Sequence, residues 1–129
     1  MIKVFVAIPC YNCERHIEKV LGGFSASLVN KIHKVVVIDN CSTDATVSLA
    51  KKKILQLNNS KFEIRRNKKN YGLGGTFKIA FELALAEACD FFIFLHGDGQ
   101  APTYEVEKLL KHIEEDPTYS AYLGSRFML

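Results

Sequence analysis

No stretch of this sequence approaches the roughly 18 uncharged apolar residues needed to cross a bilayer. The apolar runs, Phe91 to Leu95 among them, stop at once. The opening segment, Met1 to Pro9, has too short an apolar run for a secretory signal and no small-residue cleavage site. These two absences predict a cytoplasmic domain. Charge of one sign is also scarce. The 17 Lys and Arg against 14 Asp and Glu leave +3, whereas a nucleic-acid binder usually gathers a larger excess on one face. Nucleic acid is therefore not an expected partner. The basic clusters Lys51-Lys52-Lys53 and Arg65-Arg66-Asn67-Lys68-Lys69 read as a solvated helix face and a loop, with an anionic substrate or lipid surface as the other reading. There is no G-x-x-x-x-G-K-[ST], which removes the P-loop enzymes. The first strand is followed by Pro9-Cys10-Tyr11-Asn12 instead of a glycine fingerprint, which argues against nicotinamide and flavin dinucleotides. Cys10 to Cys13 is a single C-x-x-C, and a zinc site would normally bring a second. The four cysteines read as small, partly buried thiols in a reducing compartment, with redox chemistry as the minor alternative.

What is present has the size of one domain, residues 1–129. It is 48% hydrophobic and 24% charged, enough for a single core. Short β-branched runs alternate with longer helical periods. Ile2–Ile8, Val35–Ile38, Phe62–Arg66 and Phe91–Leu95 are predicted strands, the third near an edge, and Tyr119–Leu123 is a predicted fifth. Ile17, Val20, Leu21, Phe24 and Leu28 fall on one face of a predicted helix with Asn12 as its N-cap. The next helix, capped by Ser42 or Thr43, turns Val47, Ala50, Ile54 and Leu57 inward. Phe77, Ala80, Phe81, Ala84, Leu85 and Ala88 form the clearest stripe. A last helix begins with Pro102 in its first turn and ends at Asp116-Pro117. Strands alternating with helices imply an α/β fold with a parallel sheet, which binds ligands beyond the carboxyl ends of its strands.

The residues just after each strand therefore matter most. Asp39 ends the second strand, where a carboxylate can accept from ribose hydroxyls or base N–H groups, or simply form a turn with Asn40. Gly72-Leu73-Gly74-Gly75 is either a tight turn into a helix or backbone room for a ligand. His96-Gly97-Asp98-Gly99-Gln100 follows a wholly apolar strand. A bare turn does not require His, Asp and Gln in such a row. Asp98 suits a hard divalent cation shared with substrate phosphates, as magnesium is typically held. Gln100 can add a carbonyl oxygen, and His96 a donor or a borderline ligand.

Five pieces occur together: Ile8 to Glu14, Val37 to Asp44, Asn70 to Gly75, His96 to Gln100, and Gly124-Ser125-Arg126-Phe127. In this order and spacing they resemble family 2 glycosyltransferases of the GT-A fold, close to those that make polyprenyl- and dolichyl-phosphate sugars. The resemblance implies a Rossmann-like, three-layer α/β/α domain with a mainly parallel sheet. It implies a UDP- or GDP-linked sugar donor, Mg²⁺ or Mn²⁺, and a lipid-phosphate or saccharide acceptor. By the same resemblance Pro9, Tyr11 and Glu14 surround the nucleoside and Asp39 binds the base. His96, Gly97 and Asp98 form the donor turn. Asp98 and Gln100 hold the cation, and Arg126 lies near the donor phosphates. His96 departs from the pattern, because most relatives carry an Asp there; the site is one negative charge poorer. No residue stands out as a catalytic base.

Family members continue past the fifth strand, so the sequence reads as the donor-binding part of a longer enzyme working at the cytoplasmic face of a membrane. Alone it should bind a nucleoside diphosphate, transfer no sugar, and self-associate as a homodimer through uncovered apolar surface. The alternative is a non-catalytic nucleotide-binding or interaction module on the same fold. A sugar-phosphate nucleotidylyltransferase is disfavoured, since its glycine-rich basic loop after the first strand is missing.

Overall fold

A computed structural model describes residues 2–118. The predicted strand at Tyr119–Leu123 and the segment with Arg126 lie outside the described residues. The elements are β1 (Val4–Cys10), α1 (Ile17–Gly22), α2 (Ala26–Asn30), β2 (Lys34–Asp39), α3 (Thr46–Leu57), β3 (Phe62–Arg66), α4 (Gly72–Ala86), β4 (Phe91–Phe94) and α5 (Glu105–Glu115). Four strands pair in the order β3-β2-β1-β4, and every pairing is parallel. β1 and β2 sit in the middle. They are buried on both faces, as their unbroken apolar runs require.

Alternation along these strands assigns the layers. Val4, Val6, Ile8, Val35 and Val37 face one core with Ile17, Leu21, Leu28, Ala50, Val106 and Leu110, so α1, α2, α3 and α5 cover that side. Phe5, Ala7, Val36 and Ile38 face a second core under Ala80 and Ala84 of α4. The result is a three-layer α/β/α stack.

Five local expectations are corrected. The helix expected through Leu28 is two helices. A Cβ at Gly23 would meet Thr103 Cβ at 2.6 Å, and the Thr103 hydroxyl donates to the Val20 carbonyl at 2.6 Å, so the chain turns away there and Ser25 caps a new helix. Asn12 is not the cap of α1: it adopts φ +51°, and its Oδ1 accepts from Thr43 N at 2.9 Å. The start of α3 is capped neither by Ser42 nor by Thr43. Asp44 Oδ1 accepts from Thr46 N at 2.9 Å, and Glu14 Oε2 from Ala45 N at 3.0 Å. In α4, Phe81 and Leu85 are exposed while the small Ala80 and Ala84 lie on the sheet. Pro102 stands just ahead of α5, where its carbonyl accepts from Glu105 N.

Candidate functional site

After β3 the chain crosses to the far side of β1, and β4 pairs there. The loops leaving β1, β2 and β4 therefore part at the carboxyl edge of the sheet. A cleft of about 190 Å³ opens between them. Pro9, Cys10 and Tyr11 form one wall, and His96, Gly97 and Asp98 another. Asn40, Leu73 and Thr76 close the third side, next to Cys13. The first two walls are pinned together by Leu95 N donating to Ala7 O at 2.9 Å and Gly97 N to Pro9 O at 3.0 Å. Contact there is close. A Cβ on Gly97 would stand 2.3 Å from Cys10 Sγ and 3.1 Å from the Pro9 carbonyl oxygen, so only glycine lets the turn lie so near β1.

The third wall is a polar network between elements. Asn40 Oδ1 accepts from Asn67 Nδ2 at 3.0 Å and from Tyr71 N at 2.9 Å, and Asn40 Nδ2 donates to Asn70 Oδ1 at 2.8 Å. Asn67 Nδ2 also donates to Thr76 Oγ1 at 3.1 Å. These bonds tie the ends of β2 and β3 to the first turns of α4 and leave Asn40 one further amide hydrogen. In the glycine cluster, a Cβ at Gly72 or Gly74 would meet nothing within 4 Å, and Gly72 has φ +73°. The cluster forms the first turn of α4, where a Cβ at Gly75 would stand 2.6 Å from Tyr71 Cβ.

Asp39 lies behind the wall. It is fully buried; it accepts from Ser42 N at 3.1 Å and from Ser42 Oγ at 2.5 Å, and Arg66 Nε stands 3.5 Å away. Ser42 Oγ in turn accepts from Asn12 N at 2.9 Å, so Asp39 holds the β1 loop to the β2 loop. Glu14 is turned toward the start of α3 and is not part of the lining. Asp98 is half-buried; its Oδ1 accepts from the Gln100 backbone N at 3.1 Å. The Gln100 side chain is exposed outside the lining. The structure thus gathers Pro9, Tyr11, His96, Gly97 and Asp98 around one cleft and leaves Glu14, Asp39 and Gln100 outside its lining.

Sequence reasoning did not single out Cys10, Cys13, Asn40, Leu73 or Thr76 as lining residues. The first four fall within the motif segments, and Thr76 lies one residue beyond them. Cys10 and Cys13 are buried, and their sulfurs donate to Ile8 O at 3.7 Å and Tyr11 O at 3.5 Å. The neighbouring Cys13, then burial, pushes the Cys10 thiol well above its ordinary value, and Cys10 lowers Cys13 to about 7.

Among the described residues no three His, Cys, Asp or Glu side chains converge to hold a metal by themselves. A lone half-buried carboxylate at a turn fits Mg²⁺ or Mn²⁺, which takes one or two carboxylates and completes its shell with phosphate and water.

The family model described as glycosyl transferase family 2 matches residues 5–127, nearly the whole chain. The chain belongs to that family. This family 2 domain is 31% identical over 127 residues to an uncharacterised protein of Methanocaldococcus jannaschii, covering 98% of the chain and 47% of that protein. It is also 31% identical over 99 residues to the poly(ribitol-phosphate) beta-N-acetylglucosaminyltransferase TarS of Staphylococcus aureus, covering 76% of the chain and 16% of TarS. The domain thus spans under half the length of these relatives. Among solved structures, TarS 1–349 in complex with UDP superimposes with a TM-score of 0.70 at 21% identity, covering 96% of the domain and 38% of that chain. The mannosyltransferase PcManGT of Pyrobaculum calidifontis, in complex with GDP-Man and Mn²⁺, does so with 0.64 at 22% identity, covering 83% and 31%. The fold is the GT-A arrangement of these glycosyltransferases.

Proposed function

We propose that the cleft binds a nucleotide sugar and that the protein carrying this domain transfers the sugar to an acceptor. The observation that carries the reading is that Asp98 shares one cleft with Asn40 and Tyr11, at the switch point of a parallel sheet. The relatives support it: one TarS structure holds UDP and another UDP-GlcNAc, and PcManGT holds GDP-Man with Mn²⁺. In this reading Pro9 and Tyr11 flank the nucleoside, and Asn40 offers its remaining amide hydrogen to a base carbonyl. Asp39 and Glu14 order the loops that present them. Asp98, with diphosphate oxygens and water, would hold Mg²⁺ or Mn²⁺ beside the turn of His96 and Gly97, with Gln100 and Arg126 as further contacts to cation or phosphates.

Breaking the sugar–phosphate bond develops positive charge on the sugar and negative charge on the leaving diphosphate. A divalent cation at Asp98 would supply Lewis-acid stabilisation of that leaving group, worth several kcal/mol. The proposed acceptor is a lipid phosphate or a saccharide, reached at the cytoplasmic face of a membrane.

Calorimetric titration with UDP and GDP, with and without Mn²⁺, tests the donor site. One of the two should bind more tightly with Mn²⁺, and Asp98→Ala should lose that dependence. An unchanged cation effect in the variant would remove Asp98 from the site. A binding-only module is the second reading, because Asp98 is the one carboxylate in the cleft lining among the described residues. Labelled sugar passed to a lipid phosphate by the full-length protein would exclude that module.

A further inference from the structure

The outward face of α3 is a basic surface that the cleft does not use. The helix carries Lys51, Lys52 and Lys53 and no carboxylate. Lys51 and Lys52 are exposed, and one turn further on stands Leu55, 79% exposed. Spacings of three and four put these three side chains on one face. Lys53 leans to the side. Its Nζ lies 3.5 Å from where a Cβ on Gly22 would stand, so it spans the gap to α1. Lys19, three residues before Gly22, is exposed on that same side of α1. None of these four lysines pairs with a carboxylate among the described residues, whereas Lys34, Arg65, Arg66 and Lys108 all do. Glu18, the one acid on α1, is half-buried and pairs with none of them. The excess is local, because α5, on the same side of the sheet, has four Glu against two Lys.

We propose that the α3 face, with Lys53 and Lys19 on its flank, docks this domain on an anionic lipid bilayer. Each lysine brought to such a surface strengthens binding about fivefold. No internal ion pair has to break first, so that gain is not offset. Leu55 adds a second contribution. An apolar side chain held outward among lysines gives up no packing inside the fold when it enters the boundary between headgroups and acyl chains. Nucleic acid is the poorer fit. α3 offers neither an aromatic ring for base stacking nor an Arg to grip phosphates with two hydrogen bonds. α3 begins beside the cleft, where Thr46 Oγ1 accepts from Cys13 N at 2.8 Å. Docking through this face therefore brings the cleft near the bilayer, where a lipid-phosphate acceptor lies. The charge of the face does not depend on that acceptor or on the donor reading.

Co-sedimentation of the full 129-residue chain with lipid vesicles tests the face. The chain should bind phosphatidylcholine vesicles that contain phosphatidylglycerol and not vesicles of phosphatidylcholine alone. Rising salt should release it as the charges are screened. Lys51→Gln together with Lys52→Gln should weaken binding roughly thirtyfold. Lys108→Gln together with Lys111→Gln removes the same charge from α5 and should leave binding near that of the parent. Leu55→Ala should weaken it several-fold without changing its salt dependence. No binding to either vesicle, equal binding to both, or an equal loss in the α3 and α5 variants would overturn the docking face. A single-stranded RNA held more tightly than the vesicles, and released by the α3 double variant, would replace the bilayer with nucleic acid. Titration of UDP and GDP with Mn²⁺ should give the same affinity in the α3 double variant as in the parent. A parent that binds lipid but neither nucleotide would overturn the donor reading alone.

Discussion

Asp39 and Asp98 both follow buried strands, yet they have opposite surroundings. Asp39 has no exposed surface and its oxygens are taken by Ser42 and Arg66, whereas Asp98 is half-open and accepts one backbone hydrogen bond. Sequence spacing could mark both positions as strand ends but could not tell Asp39 from Asn40. Which of two neighbours faces the cleft depends on how the loop leaves the sheet, and here Ser42 draws the carboxylate inward. Asp39→Ala is therefore a stability variant. It strands two Ser42 donors in a buried place, which costs roughly 1–3 kcal/mol. Urea unfolding should show that loss, and an unchanged midpoint would mean the bonds contribute nothing. Asn40→Ala removes the hub of three hydrogen bonds and should lower both stability and nucleotide affinity, whereas Asn40→Asp should restore packing but not the donor to a base carbonyl. Titration of UDP against free diphosphate separates these effects, because only the nucleotide should respond to Asn40→Asp.

Elements act through their ends. The turn after β4 depends on Gly97. Gly97→Ala should displace it from Cys10 and the Pro9 carbonyl, costing about 1–3 kcal/mol as overpacking does, with a loss of nucleotide affinity. Cys10→Ala in the same chain should recover part of that loss, since the sulfur is one of the two clashing atoms, and a double-mutant cycle measures the coupling. At the opposite edge of the sheet, Glu87 just after α4 bonds His33 Nε2 at 3.0 Å and Lys34 Nζ at 2.9 Å, and Lys34 also pairs with Glu63 at 2.9 Å. His33 first and Lys34 second hold Glu87 at about 2, below its ordinary 4.5. A carboxylate whose value is depressed on folding contributes stability above 4.5 and loses it as pH falls from there toward about 2. Melting temperature should therefore fall over that window, and less steeply in Glu87→Gln. Lys34 is raised above 10.5 by Glu87 and then Glu63, so its contribution is present below 10.5 and lost as pH climbs through the raised value. Salt should weaken this half-exposed network, and an acid limb that is the same in Glu87→Gln would assign it elsewhere.

At the scale of the whole molecule the fold was largely legible. Four β-branched runs separated by helical periods dictate a parallel sheet, and the cleft had to open where the strand order reverses. The helix break at Gly23 was not legible, because it depends on Thr103, eighty residues later in the chain and packed beside Val20. Nor was the outward face of α4: sequence period gives a stripe, but the depth of Ala80 and Ala84 against β1 and β2 decides which neighbours stay exposed. The same architecture makes the cleft a reporter of global stability. Its walls come from β1, the ends of β2 and β4, and the start of α4, so a ligand bound there bridges elements that separate on unfolding. A nucleoside diphosphate at about 100 times its Kd should then stabilise the native state by about 2.7 kcal/mol. For a domain of this size that is a shift in Tm of roughly 10 °C. The shift should require Mn²⁺ and should shrink in Asp98→Ala without a matching change in the ligand-free Tm, because that carboxylate makes only one hydrogen bond, at an open turn. A ligand-free Tm that fell as far as the shift did would make Asp98 a structural residue and leave the cation site without its anchor.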